Sequence, residues 1–158
     1  ETFEAPRNTF EECVNFIVKD LDEAAAMLVG KSAIRGRATQ ASALALKARV
    51  LLYAASDLHD GPTAKAKSPD LAAYGNLDIL AYPSGNRTER WQKAQAAAKA
   101  VLDITTGNQM GLSAPVSHEV GIQNYINNSM ARNGGEAEIL LGRYFINLSK
   151  KCKAAFHR

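Results

Sequence analysis

Residues 40–58 restrict the fold of this chain more than any other stretch, because they would form a helix that is apolar on most sides and contain neither glycine nor proline. Leu44 and Leu51 follow at helical spacing among many alanines, and Lys47 and Arg49 are its only charged residues before position 57. A helix that is apolar on most sides is buried between neighbouring helices. Its alanines would let backbones approach closely, as in stacked helical repeats.

Composition extends this expectation to the whole chain of 158 residues. Alanine contributes 27 residues, aromatic residues are only 7%, and 22% of the residues are charged. Alanine favours helix, and the shortage of aromatic residues disfavours strands. These values are those of a globular protein and exclude a disordered tail, a collagen-like fibre and a coiled-coil rod. We therefore expect one all-α domain over residues 1–158.

A second helix is predicted from its start signal. Thr9 and Glu12 have the spacing of a capping box, in which each side chain binds a free backbone N–H at the start of the helix. Gly30 is a typical stop signal. The predicted apolar stripe between them is Phe10, Val14, Ile17, Leu21, Ala24 and Leu28.

A third helix is predicted between Thr88, as N-cap, and Gly107. Its predicted stripe is Trp91, Ala94, Ala98, Val101 and Thr105. We expect Leu21, Leu44, Leu51 and Val101 to share one core.

Residues 61–87, the inserted segment, separate the second and third of these helices in chain order. The segment holds three of the five prolines, and it is much longer than the two to eight residues usual between packed helices. The sequence therefore predicts a long inserted loop, either functional or a tolerated insertion, with the second favoured. A short helix or turn is expected within residues 70–80, and residues 143–158 form a tail of uncertain structure.

Several classes of function are disfavoured by what the chain lacks. The formal net charge is only +3, and the one basic cluster falls in residues 150–158, so no nucleic-acid partner is expected. No apolar run is long enough for a transmembrane segment. Cys13 and Cys152 have no neighbouring ligands at metal-binding spacing, so no metal is expected; whether they pair is left open.

Catalytic motifs are also missing, and we expect neither enzyme activity nor a cofactor. Nucleophilic catalysis needs a nucleophile, a base and an orienting group, and no histidine stands in such a pattern. Asp57 and Asp60 flank His59 and could hold a cation, but a polar helix end is the favoured interpretation.

Three stretches, in order and at matching spacing, resemble the SusD/RagB family. Residues 10–24 read FEECVNFIVKDLDEA and contain the pattern I-x-x-D-L-x-x-A. Residues 36–56 read GRATQASALALKARVLLYAAS, and residues 91–103 read WQKAQAAAKAVLD. The short segment EILL at 138–141 is similar to the one that follows in the family. The resemblance covers roughly residues 8–142.

This resemblance implies a non-catalytic protein that binds oligosaccharides or other nutrients for uptake. Proteins of this kind are lipid-anchored at the outer membrane, on the cell surface, and their partner is a SusC-type TonB-dependent transporter. Family members are much longer, so the resemblance implies that the chain is an internal fragment of their helical part. It also implies that the helices form a tetratricopeptide-like layer. The anchoring cysteine motif is not in this chain, since Cys13 lies within a predicted helix.

Candidate ligand-binding residues come from the inserted segment, because loops beside rigid helices often carry binding groups. They are Tyr74, Asn76, Asp78, Tyr82, Asn86 and Arg87. A competing interpretation is that the segment only covers the helices and that the ligand site lies in regions outside this chain.

Four other residues are expected to be structural. Trp91 and Tyr53 are expected to pack in the core, the latter with its hydroxyl reaching outward. Arg37 and Arg49 are expected to bind free carbonyls or a carboxylate of a neighbouring helix. A tetratricopeptide-type scaffold for protein–protein interaction is the alternative function; the interval of about 49 residues between helix starts disfavours it, since such repeats have a period of about 34.

Overall fold

The computed structural model describes residues 6–31, 36–107, 117–130 and 140–141. These residues form six α-helices: α1 (Phe10–Met27), α2 (Gln40–Ala54), α3 (Gly61–Lys67), α4 (Pro69–Ala73), α5 (Arg87–Gly107) and α6 (His118–Met130). Single 3-10 turns lie at Asp57–His59 and Leu77–Ile79. With no strand in these ranges, the all-α class is confirmed. The predicted tail at 143–158 and Cys152 lie outside the described residues.

The predicted start of α1 is confirmed. The backbone N–H of Glu12 donates to Thr9 Oγ1 at 3.2 Å, and the backbone N–H of Thr9 donates to Glu12 Oε2 at 2.9 Å. Gly30, just after the helix, has a φ of 68°, which glycine adopts without strain. The apolar stripe is rotated slightly from the prediction, because Val18 packs on the core while Ile17 is 41% exposed.

Helix α2 is the central helix, since it packs against both α1 and α5. It begins with a second capping box, in which Ser42 N–H donates to Thr39 Oγ1 at 3.1 Å and Thr39 N–H donates to Ser42 Oγ at 2.8 Å. It ends at Ala54 rather than at Leu58, which lies in the following 3-10 turn and is 68% exposed.

Small side chains fill most of the interior. The buried alanines are Ala25, Ala41, Ala43, Ala54, Ala55, Ala64, Ala81, Ala94 and Ala97. The expected shared core of Leu21, Leu44, Leu51 and Val101 consists of residues that are half-buried. Alanine at a helix contact permits close approach of two backbones, so the larger residues lie at the margins of the contacts.

Helix α2 lies between two neighbouring helices, as expected, but one side of it is open to solvent. Leu46, Leu52 and Tyr53 lie on one side of the helix and are 50%, 52% and 59% exposed. Two neighbours, α1 and α5, cover the rest of the helix and leave this side to solvent.

The inserted segment is not one long loop, because it contains α3 and α4. Asp60 caps α3 by accepting from the backbone N–H of Thr63 at 3.2 Å, and Ser68 caps α4 by accepting from that of Leu71 at 3.4 Å. A proline occupies the first turn of each helix, where its missing N–H is harmless. The short helix or turn expected within residues 70–80 matches the end of α4 and the second 3-10 turn.

The inserted segment returns to the point where it leaves the scaffold. The N–H of Gly61 donates to Tyr82 O at 2.9 Å, and the N–H of Tyr82 donates to His59 O at 2.9 Å. These two hydrogen bonds hold the backbone of Tyr82 beside residues 59–61, and its side chain packs with Val14 of α1 and Ala54 of α2.

Helix α6 is the last helix among the described residues. Its apolar residues Ile122, Tyr125 and Ile126 are 49%, 75% and 41% exposed. Among the described residues, no helix combines the length and the hydrophobicity that crossing a membrane requires.

Candidate functional site

In the first turns of α5, the residue that faces inward is Arg90, one position before the predicted Trp91. Ala94 and Ala97 are buried and Arg90 and Val101 are half-buried, whereas Trp91 is 40% exposed. The expectation that Trp91 packs in the core is therefore wrong. An arginine occupies the inward position in its place, and its charge needs a partner.

Asp60 is that partner. Arg90 Nη2 forms a salt bridge with Asp60 Oδ1, and the two side chains are 11% and 9% exposed. The other carboxylate oxygen accepts from the hydroxyl and the backbone N–H of Thr63. The Thr63 hydroxyl, with the Thr63 N–H and Arg90, lowers the pKa of Asp60 against the opposing effect of burial. The pair therefore stays ionised.

Tyr82 lies between this ion pair and the start of α1. The guanidinium carbon of Arg90 is 4.6 Å from the centre of its ring, and the ring of Phe10 meets it edge to face at 5.4 Å. Phe10 in turn stacks on His59 at 4.3 Å. Only 8% of Tyr82 is exposed, and burial together with the charge of Glu11 raises the pKa of its hydroxyl. Tyr82 therefore offers no open ring face on which a sugar could stack.

A cavity of about 190 Å³ opens where the beginnings of α1 and α5 meet the end of α2. We call it the α1–α5 cavity. Its apolar lining is Val14, Leu51, Ala54 and Tyr82, and its polar lining is Glu11, Asn15, Ser84, Asn86, Glu89, Arg90 and Lys93, with Gly85. Pockets for drug-sized ligands are about 300–1,000 Å³, so the space suits a smaller molecule.

Charges around the α1–α5 cavity nearly balance. Glu89 and Lys93 form a salt bridge at 2.8 Å, and their mutual hydrogen bond lowers the pKa of Glu89 and raises that of Lys93. Arg90 is neutralised by Asp60. Within the described part of the chain, Glu11 has no salt-bridge partner, and the buried Nε of Arg90 has no hydrogen-bond acceptor.

The structure brings only some of the predicted ligand-binding residues together. Tyr82 and Asn86 line the α1–α5 cavity. Tyr74, Asn76 and Asp78 do not line it, and Tyr74 is 43% exposed elsewhere on the inserted segment. Their proposed contact with a sugar stays a prediction.

Two of the predicted residues have structural contacts at the start of α5. The side-chain oxygen of Asn86 accepts from the backbone N–H groups of Thr88 at 3.0 Å and Glu89 at 3.3 Å. Asn86 thus takes the capping position predicted for Thr88. Arg87 forms a salt bridge with Asp57, which also binds Lys67 Nζ at 2.7 Å.

The residues expected to be structural lie nearer the surface than predicted. Tyr53 is 59% exposed, so its expected core packing is wrong. Arg49 is exposed and lies over the ring of Tyr53, with its guanidinium carbon 5.9 Å from the ring centre, rather than against a carboxylate. Arg37 is exposed as well.

Sequence reasoning missed Glu11, Asn15, Arg90 and Lys93. Glu11 and Asn15 are one helical turn apart in α1, so their shared face was readable from the sequence. The inward direction of Arg90 was not, because it depends on Asp60, which is thirty residues away.

The possible cation site around His59 is replaced by internal ion pairs. Asp57 binds Lys67 and Arg87, and Asp60 binds Arg90. In residues 6–31, 36–107, 117–130 and 140–141, no group of three or more His, Cys, Asp or Glu side chains is arranged to hold a metal ion. Cys13 is an exposed free thiol.

Comparisons with protein-family models, curated proteins and solved structures found no match to the chain.

Proposed function

We propose that this chain is part of a non-catalytic, SusD/RagB-like protein that binds glycan oligosaccharides at the outer membrane. Its partner in uptake is a SusC-type TonB-dependent transporter. On this proposal the full-length protein is lipid-anchored at the cell surface, and the chain supplies helical scaffold and one ligand-contacting cavity.

The observation that carries the proposal is the position of the three resembling stretches. Residues 10–24 lie in α1, residues 40–54 of the second stretch form α2, and residues 91–103 lie in α5. Helix α2 packs against both of the others. Stretches that match one family in order and that also pack together are consistent with a shared scaffold.

The ionisable groups around the α1–α5 cavity favour binding over catalysis. A general acid or base working near neutral pH needs a pKa close to the working pH. The ion pair with Lys93 holds the pKa of Glu89 below its usual value, and Thr63 and Arg90 do the same for Asp60. Both shifts lead away from neutrality, so these carboxylates serve as fixed charges.

The exposed side of α2 supports the proposed contact with a transporter. Leu46, Leu52 and Tyr53 are each at least half exposed, and Arg49 lies over the Tyr53 ring. Tyrosine and arginine are enriched where proteins bind one another. The same side also favours the alternative function, a tetratricopeptide-type scaffold that binds another protein.

The test is a pull-down of outer-membrane proteins from the source bacterium with the full natural protein as bait. The captured protein is identified by mass spectrometry, and oligosaccharide binding to the bait is measured by calorimetry. We expect a TonB-dependent transporter and at least one bound glycan. Tyr53→Ser should weaken capture, while Tyr74→Ser, at an exposed tyrosine away from α2, should not.

Capture of a different protein, with no glycan bound, would favour the scaffold function instead. Turnover of any polysaccharide that is abolished by a single Asp or Glu substitution would contradict the non-catalytic proposal.

A further inference from the structure

We infer that the α1–α5 cavity binds one neutral sugar ring, the end of a glycan chain, with Glu11, Ser84 and Asn86 as its main polar contacts. The choice of a sugar rests on the proposed function. The location and the requirement for an uncharged, hydroxyl-rich ligand rest on the cavity itself.

Size restricts the ligand to a single ring. The cavity has about 190 Å³, below the range for drug-sized ligands. A chain end can enter such a space while the rest of the glycan stays outside.

The polar side chains that line the cavity favour a ligand that both donates and accepts hydrogen bonds. Glu11 offers carboxylate oxygens, which only accept. The Ser84 hydroxyl and the side-chain amide of Asn86 also line the cavity, and both can donate. A hydroxyl group meets both demands, and neighbouring hydroxyls of a sugar can reach both sides.

The charges of the wall disfavour an ionic ligand. Lys93 is already bound to Glu89 at 2.8 Å, and Arg90 is bound to Asp60. An anion would meet the carboxylates of Glu11 and Glu89, while a cation would meet the ammonium of Lys93. A neutral ligand avoids both repulsions.

The apolar part of the wall suits the C–H groups of a sugar ring. Val14, Leu51 and Ala54 lie together on it. Because Tyr82 is buried between Arg90 and Phe10, the sugar would contact aliphatic carbon rather than stack on an aromatic ring.

The test uses the full chain labelled with ¹⁵N and titrated with glucose, galactose and mannose, with glucosamine and glucuronate as charged probes. We expect at least one neutral sugar to shift the amide signals of Asn15, Ser84, Gly85 and Asn86. Asn15→Phe places a ring at the cavity wall and should weaken binding at least tenfold. Lys19→Phe, one turn further along the exposed face of α1, is the matched control and should bind as the wild type does.

A second pair of variants tests the role of the carboxylate. Glu11→Ala should weaken binding about fivefold or more, whereas Glu23→Ala, on the same helix outside the cavity, should leave it unchanged. The amide spectrum of each variant reports whether the fold is intact.

Three results would overturn the inference. Tighter binding of glucosamine or glucuronate than of every neutral sugar would exclude a neutral site. Oligosaccharide binding that is unaffected by Asn15→Phe would exclude this cavity while leaving the proposed function in place. If no probe shifts the four amide signals although the full natural protein binds oligosaccharides, this cavity is likewise excluded and the proposed function stands. If the full natural protein binds no glycan either, both proposals fail.

Discussion

Arg90 and Asp60 form a buried salt bridge across thirty residues of sequence. Asp60 also caps α3, and Arg90 lies on the inward side of α5 against the ring of Tyr82. The pair therefore joins the start of the inserted segment to the helix that follows the segment. It holds in place the wall of the α1–α5 cavity to which Arg90 and Tyr82 belong.

Removing Asp60 should strongly destabilise the fold. Asp60→Ala leaves a buried guanidinium without a partner, which costs about 3–5 kcal/mol, and it also removes the cap of α3. Urea unfolding followed by circular dichroism measures the loss. Asp57→Ala is the matched control, because its ion pairs with Lys67 and Arg87 are more exposed and should matter far less. Equal losses for the two variants would contradict the importance of the buried pair.

The contribution of Asp60 should disappear in acid. Its pKa is lowered in the folded state, so the stabilisation is complete above the unfolded-state pKa of about 3.9 and is lost as the pH falls through the lower folded-state value. The difference in unfolding free energy between wild type and Asp60→Asn should therefore shrink below about pH 4.

Thr63→Val provides the control for this pH dependence. The Thr63 hydroxyl is the largest cause of the lowered pKa, so its removal should move the folded-state pKa of Asp60 back toward the ordinary value. The pH-dependent part of the stability should become smaller in that variant. If the difference in unfolding free energy between wild type and Asp60→Asn does not vary with pH, folding does not lower the pKa of Asp60.

A methyl group at Gly61 should destabilise the protein. A Cβ atom there would lie 2.5 Å from the carbonyl oxygen of Tyr82 and 3.2 Å from Cδ2 of Leu77. Because the nearer atom belongs to the backbone, Gly61→Ala should cost about 1–3 kcal/mol. Gly75→Ala, in the same inserted segment with no atom within 4 Å of the new Cβ, should be close to neutral. Thermal unfolding of both variants tests whether residues 61 and 82 are in close contact.

The start of α5 can be tested by comparing two neighbouring side chains. Asn86→Ala removes the oxygen that accepts from Thr88 N–H and Glu89 N–H, and should cost about 0.5–2 kcal/mol. Thr88→Ala should change the unfolding free energy by no more than about 0.5 kcal/mol. A larger loss of unfolding free energy for Thr88→Ala than for Asn86→Ala would show that Thr88 is the N-cap.

Local signals in the sequence predicted the parts of the fold that depend on neighbouring residues. Thr9 and Glu12 are three residues apart and interact directly, so their capping box was readable. At α5 the same reasoning failed, because the stripe was placed on the most apolar residue, Trp91. The structure turns Arg90 inward instead, since Asp60 and Tyr82 compensate its charge. No pattern within α5 contains that information.

The inserted segment shows the same limit for proline. Because proline ends helices, the prolines of the inserted segment, among them Pro62 and Pro69, favour a loop when only the sequence is considered. In the structure Pro62 lies two residues after the cap Asp60 and Pro69 directly after the cap Ser68, each in the first turn of a new helix. A proline in the sequence therefore indicates the boundary of a helix but not whether the helix precedes or follows it. Of the candidate site, Tyr82 and Asn86 were predicted, and the residues contributed by α1 and the inward side of α5 were not.

The backbone contacts between Gly61, His59 and Tyr82 also decide how the chain can vary in length. Because both ends of the intervening stretch are held at one place, residues may be added or removed around Gly75 without shifting α2 or α5. The entropy of closing such a stretch grows only with the logarithm of its length, about 0.6 kcal/mol for each doubling. This part of the chain can therefore be replaced by a segment with a different surface while the helices beneath it stay unchanged.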